Sequence, residues 1–267
     1  MIWFIKIRFL LFHVIFLGAS FWVSPTLEVL LLGCVLYFVR MFGVTAGYHR
    51  YFSHRTFKTS RTFAFCLAFL AQTSAQRGVI WWASNHRHHH RFSDQKEDLH
   101  SPVTSGFWFS HVGWLWNPKS YEEHRNVTDL TRCPELVLLN RYPMLPAIIL
   151  GVLVWLRWDW SGLVYGFGIS TILLFHGTFT INSLTHLWGT RRYQTSDDSR
   201  NNLWLALITL GEGWHNNHHR YMKSTRQGFT WWEIDMTFYG LWLLSKLGLV
   251  WSLRSVPHEV LQEGKIC

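Results

Sequence analysis

Cysteine is scarce in this chain: four residues in 267, at positions 34, 66, 133 and 267, with no CxxC pair among them. A secreted disulfide scaffold needs more of them at closer spacing, so that class is excluded. Charge is scarce as well, at 15% of residues, of which only 16 are acidic. A chain so weakly charged and 49% hydrophobic is neither disordered nor fibrous. No HExxH occurs, which removes the usual zinc-protease signature. There is no internal repeat and no low-complexity linker. Mean hydropathy of only +0.06 is too low for a chain buried in lipid throughout. It fits a membrane bundle under a polar cap.

What is abundant is aromatic and imidazole: 17 Trp, 20 Phe and 16 His, with a net charge of +9. Nucleic-acid binding would need basic runs in solvated surroundings. Here twelve of 25 Lys and Arg lie between Tyr48 and Tyr142, nine follow His186, and only Lys6, Arg8, Arg40 and Arg157 fall elsewhere. That distribution follows the apolar segments, as the positive-inside rule predicts, and no nucleic-acid partner is expected.

A membrane helix needs roughly 20 mostly apolar residues. Four segments qualify or nearly so: 7–23, 27–47, 144–158 and 163–183, the third being the shortest. Ser24-Pro25 and Asp159–Gly162 make short connections within each pair. Arg40, inside the second segment, is expected to snorkel toward an interface. Segments 62–82 and 235–251 carry polar interruptions and read as interfacial or cap-packed helices. The expectation is a single all-α integral membrane domain over 1–267, with four transmembrane helices under a cytosolic helical cap (48–142 and 186–267). Both termini and the active site then lie on the cytoplasmic side.

The histidines form tight groups: His49-Arg-Tyr-Phe-Ser-His54, His86-Arg-His-His-His90 and His215-Asn-Asn-His-His219. Residues i, i+3 and i+4 share a helix face, so His86, His89 and His90 can converge, as can His215, His218 and His219. His88 points about 200° away from His86. The five-residue gap from His49 to His54 would separate them on an ideal α-helix, so they should straddle a helix end. Asn182 and His186 form an i, i+4 pair at the end of the fourth segment. His13, His111, His124, His176 and His258 are isolated and read as ordinary polar residues.

So many imidazoles exceed one metal's capacity, and two metals is the economical reading; neutral imidazole suits iron, zinc, copper and nickel. A transporter would place polar ligands inside the spans, whereas these groups lie outside them. A dinuclear redox site at the membrane surface, using dioxygen on a lipid-borne substrate, satisfies both facts.

HRYFSHRTFK at 49–58, NHRHHHRFSD at 85–94, NSLTH at 182–186 and GEGWHNNHH at 211–219 resemble the signatures of membrane fatty-acid Δ9 desaturases, the stearoyl-CoA desaturase-type enzymes and their bacterial acyl-lipid relatives. FWFSHVGW at 107–114 and WWEIDMT at 231–237 are similar too, and the match runs from about Gly43 to Leu249. The resemblance implies a mushroom-shaped protein with a nine-histidine di-iron centre. One iron would be held by His49, His54, His86, His90 and His219. The other would be held by His89, His186, His215 and His218, with Asn182 acting through a water. The implied reaction removes two hydrogens from adjacent methylenes, with dioxygen as co-substrate, giving a cis double bond. A bent tunnel would align the chain, with Gln76, Trp82 and Thr178 at the bend. Glu212, Asp94, Asp98 and Asp198 are candidates to orient ligand imidazoles.

Departures from the family pattern matter. Where its acyl-CoA users place arginine to meet phosphates, this chain has Ser84 and Pro118, with Lys119 remaining, which leaves the acyl carrier open. Phe179 stands where the animal enzymes have Trp. No HPGG segment is present, so electrons must come from a separate ferredoxin, cytochrome b5-like protein or reductase, with Arg191, Arg192, Arg220 and Arg226 as a docking face. The box forms are closer to the bacterial branch, which suggests a bacterial inner membrane. Competing expectations are a membrane di-iron hydroxylase and a non-enzymatic metal-binding or transport protein.

Overall fold

The computed structural model describes residues 2–122 and 126–264, with side chains from Ile7 onward; His124 and Cys267 lie outside the described residues. The chain is mostly helical. Its longest helical stretches are apolar, and two of them, Leu27–Ser53 and Leu145–His186, are long and apolar enough to cross a membrane. Ile2–Ala19 forms a further apolar helix.

The second long stretch folds back on itself. Trp158 and Asp159 leave helical geometry, Asp159 with φ +50°. A Cβ at Gly151 would lie 3.3 Å from the Phe167 ring, and one at Gly166 would lie 3.5 Å from Val154. Residues 12 or 16 apart on a straight helix would be about 18–24 Å apart, so the chain reverses here, close to the expected Asp159–Gly162 connection. The two turns also meet: Trp158 donates to Glu28 (2.6 Å), Ser161 to the Ser24 carbonyl (3.1 Å), and Tyr165 to Ser20 and Val23 carbonyls (2.7 and 2.9 Å). Thr26 caps the Leu27 helix.

Arg40 does not snorkel. It is buried, donating to the Leu36 carbonyl (3.0 Å), to Thr171 Oγ1 and to Ser170 Oγ (both 2.6 Å). Both hydroxyls give their own protons to backbone carbonyls one turn earlier, leaving lone pairs free for the guanidinium. Polar acceptors within the packed helices hold the cation in place, so it has no need to reach an interface.

The other longer helices are Arg61–Gln72, Val79–Phe92 and Met236–Lys246, with short helices over 102–121. The segment expected over 62–82 is not one helix: Arg61–Gln72 ends at a break over 73–78 and Val79–Phe92 begins beyond it, while the segment expected over 235–251 is helical over Met236–Lys246. A two-stranded antiparallel ribbon pairs Lys58–Thr59 with Val250–Trp251. The main apolar core gathers around Tyr48, Phe52, Leu67, Val79 and Leu241.

Replacing both hydroxyls, Ser170→Ala with Thr171→Val, strips Arg40 of two acceptors. A loss of about 3 kcal/mol is expected from two hydrogen bonds to a charged donor, read as a lower melting midpoint in detergent. Adding Arg40→Met should recover part of it. An unchanged midpoint in the double variant would refute the account.

Candidate metal centre

Local winding decides where the first two histidines go. After Phe42 the helix widens into a π-helix over Gly43–Ser53, in which i→i+5 bonds replace i→i+4. The His54 amide donates to the His49 carbonyl at 3.2 Å, closing such a turn. Residues five apart therefore stack, and the gap that would separate them on an α-helix brings them together.

The other boxes split by one geometric rule. At 3.6 residues per turn, i+4 lies about 40° to one side of i, while i+3 lies about 60° to the other. On Val79–Phe92, His86 and His90 face one point and His89 another. On His215–Arg220, His215 and His219 stay together and His218 crosses over. The result is two groups, each with ligand nitrogens within 4.8 Å of one another: His49, His54, His86, His90 and His218; and His89, His186, His215 and His219. All nine expected histidines are brought together. However, His218 and His219 are exchanged relative to the pairing the resemblance implied, because the i+3 residue of each box is the one that changes group. His88 turns away, its Nε2 2.9 Å from the Glu97 carbonyl. Asn182 lies between, lining a space of about 40 Å³ together with His49, His86, His89 and His215.

Nitrogen separations in the first group are 2.8–3.0 Å between Nε2 atoms. Each ring is buried or half-buried. Burial, and then the neighbouring imidazoles, hold His54, His86, His90, His215 and His218 well below the usual histidine range. They are therefore neutral, with lone pairs available. His219 is pulled down to about 4 by burial, against the opposing pull of Asp197, and its buried Nε2 has no hydrogen-bond partner. An inward ring of neutral nitrogens with an orphaned member fits a cation of the kind imidazole binds.

The outward nitrogens carry the orientation. Asp98 accepts from His89 Nδ1 (3.0 Å), Asp94 from His186 Nδ1 (2.8 Å), Asp197 from His219 Nδ1 (2.5 Å), and Glu212 pairs with His49 Nδ1. Burial alone would raise these carboxyls, but their imidazole partners hold all four below the usual range. Burial lowers His89 too, yet Asp98 outweighs it and its pKa is raised. Three of the four expected acids are found in this role. Asp198 is replaced by Asp197, because the Asp198 amide bonds Asp94 (2.8 Å) while its side chain meets Arg191 (3.2 Å). Either member of an Asp-Asp pair fits the sequence.

Sequence reasoning also missed His100, whose ring lies 4.5 Å from that of His89 and which joins His89 and Asp98 in a third possible ligand group. Three histidines expected to be isolated are joined in a row. His13 donates Nδ1–H to the Phe9 carbonyl (2.8 Å), its Nε2 meets His176 (3.3 Å), His176 meets His111 (3.0 Å), and His111 meets Ser183 Oγ (3.0 Å). The expected docking arginines are largely paired internally: Arg191 with Asp198, Arg192 with Glu233, Arg220 with Glu263.

A cavity of about 460 Å³ reaches this centre, its wall including His86, Asn182, Gln76, Trp82 and Thr178. Gln76 donates to Thr178 Oγ1 at 2.9 Å, and Trp82 stacks between Tyr48 and His86 at 5.2 and 5.0 Å. The three residues expected at a tunnel bend thus share one wall.

The fatty acid desaturase family model matches residues 24–246, and the chain belongs to that family. A chloroplastic probable lipid desaturase of Arabidopsis thaliana is 38% identical over 92% of this chain and 66% of its own length. An acyl-CoA C20 Δ5-desaturase of Anemone leveillei is 35% identical over 93% and 83%. An sn-2 palmitoyl-lipid 9-desaturase of Nostoc is 35% identical over 83% and 80%. These relatives are desaturases, hence oxidoreductases.

Two outcomes are expected from metal analysis. His215→Ala should lose bound metal, whereas His88→Ala should retain most of it; equal loss from both would refute the face assignment. Asp197→Asn should weaken metal retention about 10–100-fold against a chelator, with Asp198→Asn near wild type. The reverse order would show that Asp198 orients the ring.

Proposed function

We propose that this chain is a dioxygen-dependent acyl desaturase that introduces a cis double bond, at the Δ9 position, into a saturated acyl chain. The observation that carries the reading is the cavity of about 460 Å³ whose wall contains His86, so a long apolar ligand can lie against the histidine groups. His49, His54, His86, His90 and His218 would hold one iron, and His89, His186, His215 and His219 the other, with Asn182 acting through a water. Bound there, two irons supply with dioxygen and two external electrons the oxidising power to remove two hydrogens from adjacent methylenes.

The protein's own share is geometric. All methylenes of a saturated chain are chemically alike, so position must come from shape. Gln76, tied to Thr178, and Trp82, wedged between Tyr48 and His86, form the wall against which the chain bends. Asp94, Asp98, Asp197 and Glu212 fix the tautomers that turn lone pairs inward. Support for Δ9 comes from the Nostoc relative's name; Δ5 and Δ7 names among the relatives keep position a matter for measurement.

The same reading places four helices in the membrane, the reversal at Trp158–Asp159 providing the second hairpin. The histidine layer and both termini lie on the cytoplasmic side, where Lys and Arg concentrate. Electrons come from a separate ferredoxin, cytochrome b5-like protein or reductase.

Expression in a host lacking unsaturated fatty acids, followed by mass spectrometry of its lipids, tests this. New monounsaturated chains with the bond between carbons 9 and 10 are expected, and none with His215→Ala. Hydroxylated chains would replace desaturation by hydroxylation. An unchanged profile with iron bound would overturn the enzymatic reading.

A further inference from the structure

The acyl cavity is not electrically neutral. Among the described residues lining it, Arg8 and Arg77 are the formal charges, and no Asp or Glu is present. The lining imidazoles add no charge: burial holds His86 well below the usual histidine range and pulls His100 down to about 3.

Arg77 is half-buried, with its Cζ 4.7 Å from the Trp81 ring centre and 4.8 Å from that of Tyr121, and its buried Nη1 meets no hydrogen-bond partner. Aromatic faces attract a guanidinium, and Tyr121 also meets Arg77 through a side-chain hydrogen bond, but neither ring satisfies the buried Nη1. The backbone is strained to put it there. Ala75 and Arg77 both adopt positive φ, +58° and +70°, a region non-glycine residues seldom occupy and one that clusters at ligand sites. The conformation is locked on both sides: Tyr48 donates to the Arg77 carbonyl at 2.7 Å, and the neighbouring Gln76 is tied to Thr178. A fixed, half-buried cation with an unused donor at Nη1 is a receptor for a planar or tetrahedral oxyanion.

Arg8 sits at the other part of the lining, exposed on the first helix, whose neighbouring side chains Leu10, Leu11, Val14 and Ile15 are exposed and apolar. A ligand entering past this helix comes from a lipid environment.

We propose that the cavity selects acyl substrates with a negatively charged oxyanion head, carboxylate or phosphate, received by Arg77 with Arg8 at the rim. This rests on the acyl-desaturase reading and assigns the carrier specificity to positions different from Ser84 and Pro118.

The test is ligand affinity in uncharged maltoside micelles, by displacement of a fluorescent long-chain alcohol. Stearate is compared with stearyl alcohol, and dipalmitoyl phosphatidylglycerol with a dipalmitoyl monogalactosyl lipid. At least one charged member should bind ten-fold or more tightly than its neutral partner, and the pair showing it distinguishes carboxylate from phosphate. Arg77→Gln should abolish the preference while stearyl alcohol binds as before. Arg77→Lys should retain part of it, with the remainder shrinking as salt rises; this variant carries the test should Arg77→Gln misfold. Equal affinities in the wild type, a preference surviving Arg77→Gln, or one indifferent to salt would overturn the proposal. Binding needs no turnover, so a host profile without new double bonds would sink the desaturase reading and leave this result standing.

Discussion

Nine imidazoles must be aimed with one nitrogen inward, and their surroundings are arranged to meet that demand. An unsupported buried imidazole can rotate or change tautomer; one whose Nδ1–H is given to a carboxylate cannot. Asp94, Asp98, Asp197 and Glu212 perform this for four rings drawn from three different boxes and the His186 segment. Four buried carboxylates create a demand of their own. Arg50 meets part of it, bridging Glu212 (3.1 Å) and Asp235 (2.9 Å). Two divalent cations would bring four positive charges to the remainder, so the acids that orient the rings also suit the charge that the rings would hold.

The same demand explains the helix geometry around the centre. A regular α-helix cannot present two histidines five residues apart to one point; the π-wound stretch can, at the expense of regular winding. The pairing of box residues by i and i+4, with i+3 crossing over, lets one short helix serve both groups. Two boxes using this device interlock, which is why the groups lie close enough for one small space to touch members of both.

Much of this was legible in the sequence. The apolar segments, the reversal near Asp159 and the nine histidines follow from hydropathy and spacing, and His88 was separable by its angle. What was not legible depended on contacts across the chain. Arg40 was expected at an interface because nothing local shows that Ser170 and Thr171, 130 residues on, will offer it lone pairs. The exchange of His218 and His219, by contrast, follows the spacing rule, i+4 staying with i and i+3 crossing, and departs only from the pairing the resemblance implied. Asp197 and Asp198 are equivalent until the backbone amide of one is committed to Asp94. His100 lacks a box of its own and is found only through its contact with His89.

The row of His13, His176 and His111 has a consequence in proton counting. It ends on the Phe9 carbonyl at one side and, through Ser183, on the Phe179 carbonyl at the other (2.8 Å each), and carbonyls only accept. Between those ends are five contacts, each needing one hydrogen. Three neutral imidazoles and one hydroxyl bring four. Either two lone pairs face each other somewhere along the row, or the row carries one proton more than its neutral members own. The missing hydrogen can fall at any of the five contacts, so the three rings and the hydroxyl must set their hydrogen positions together.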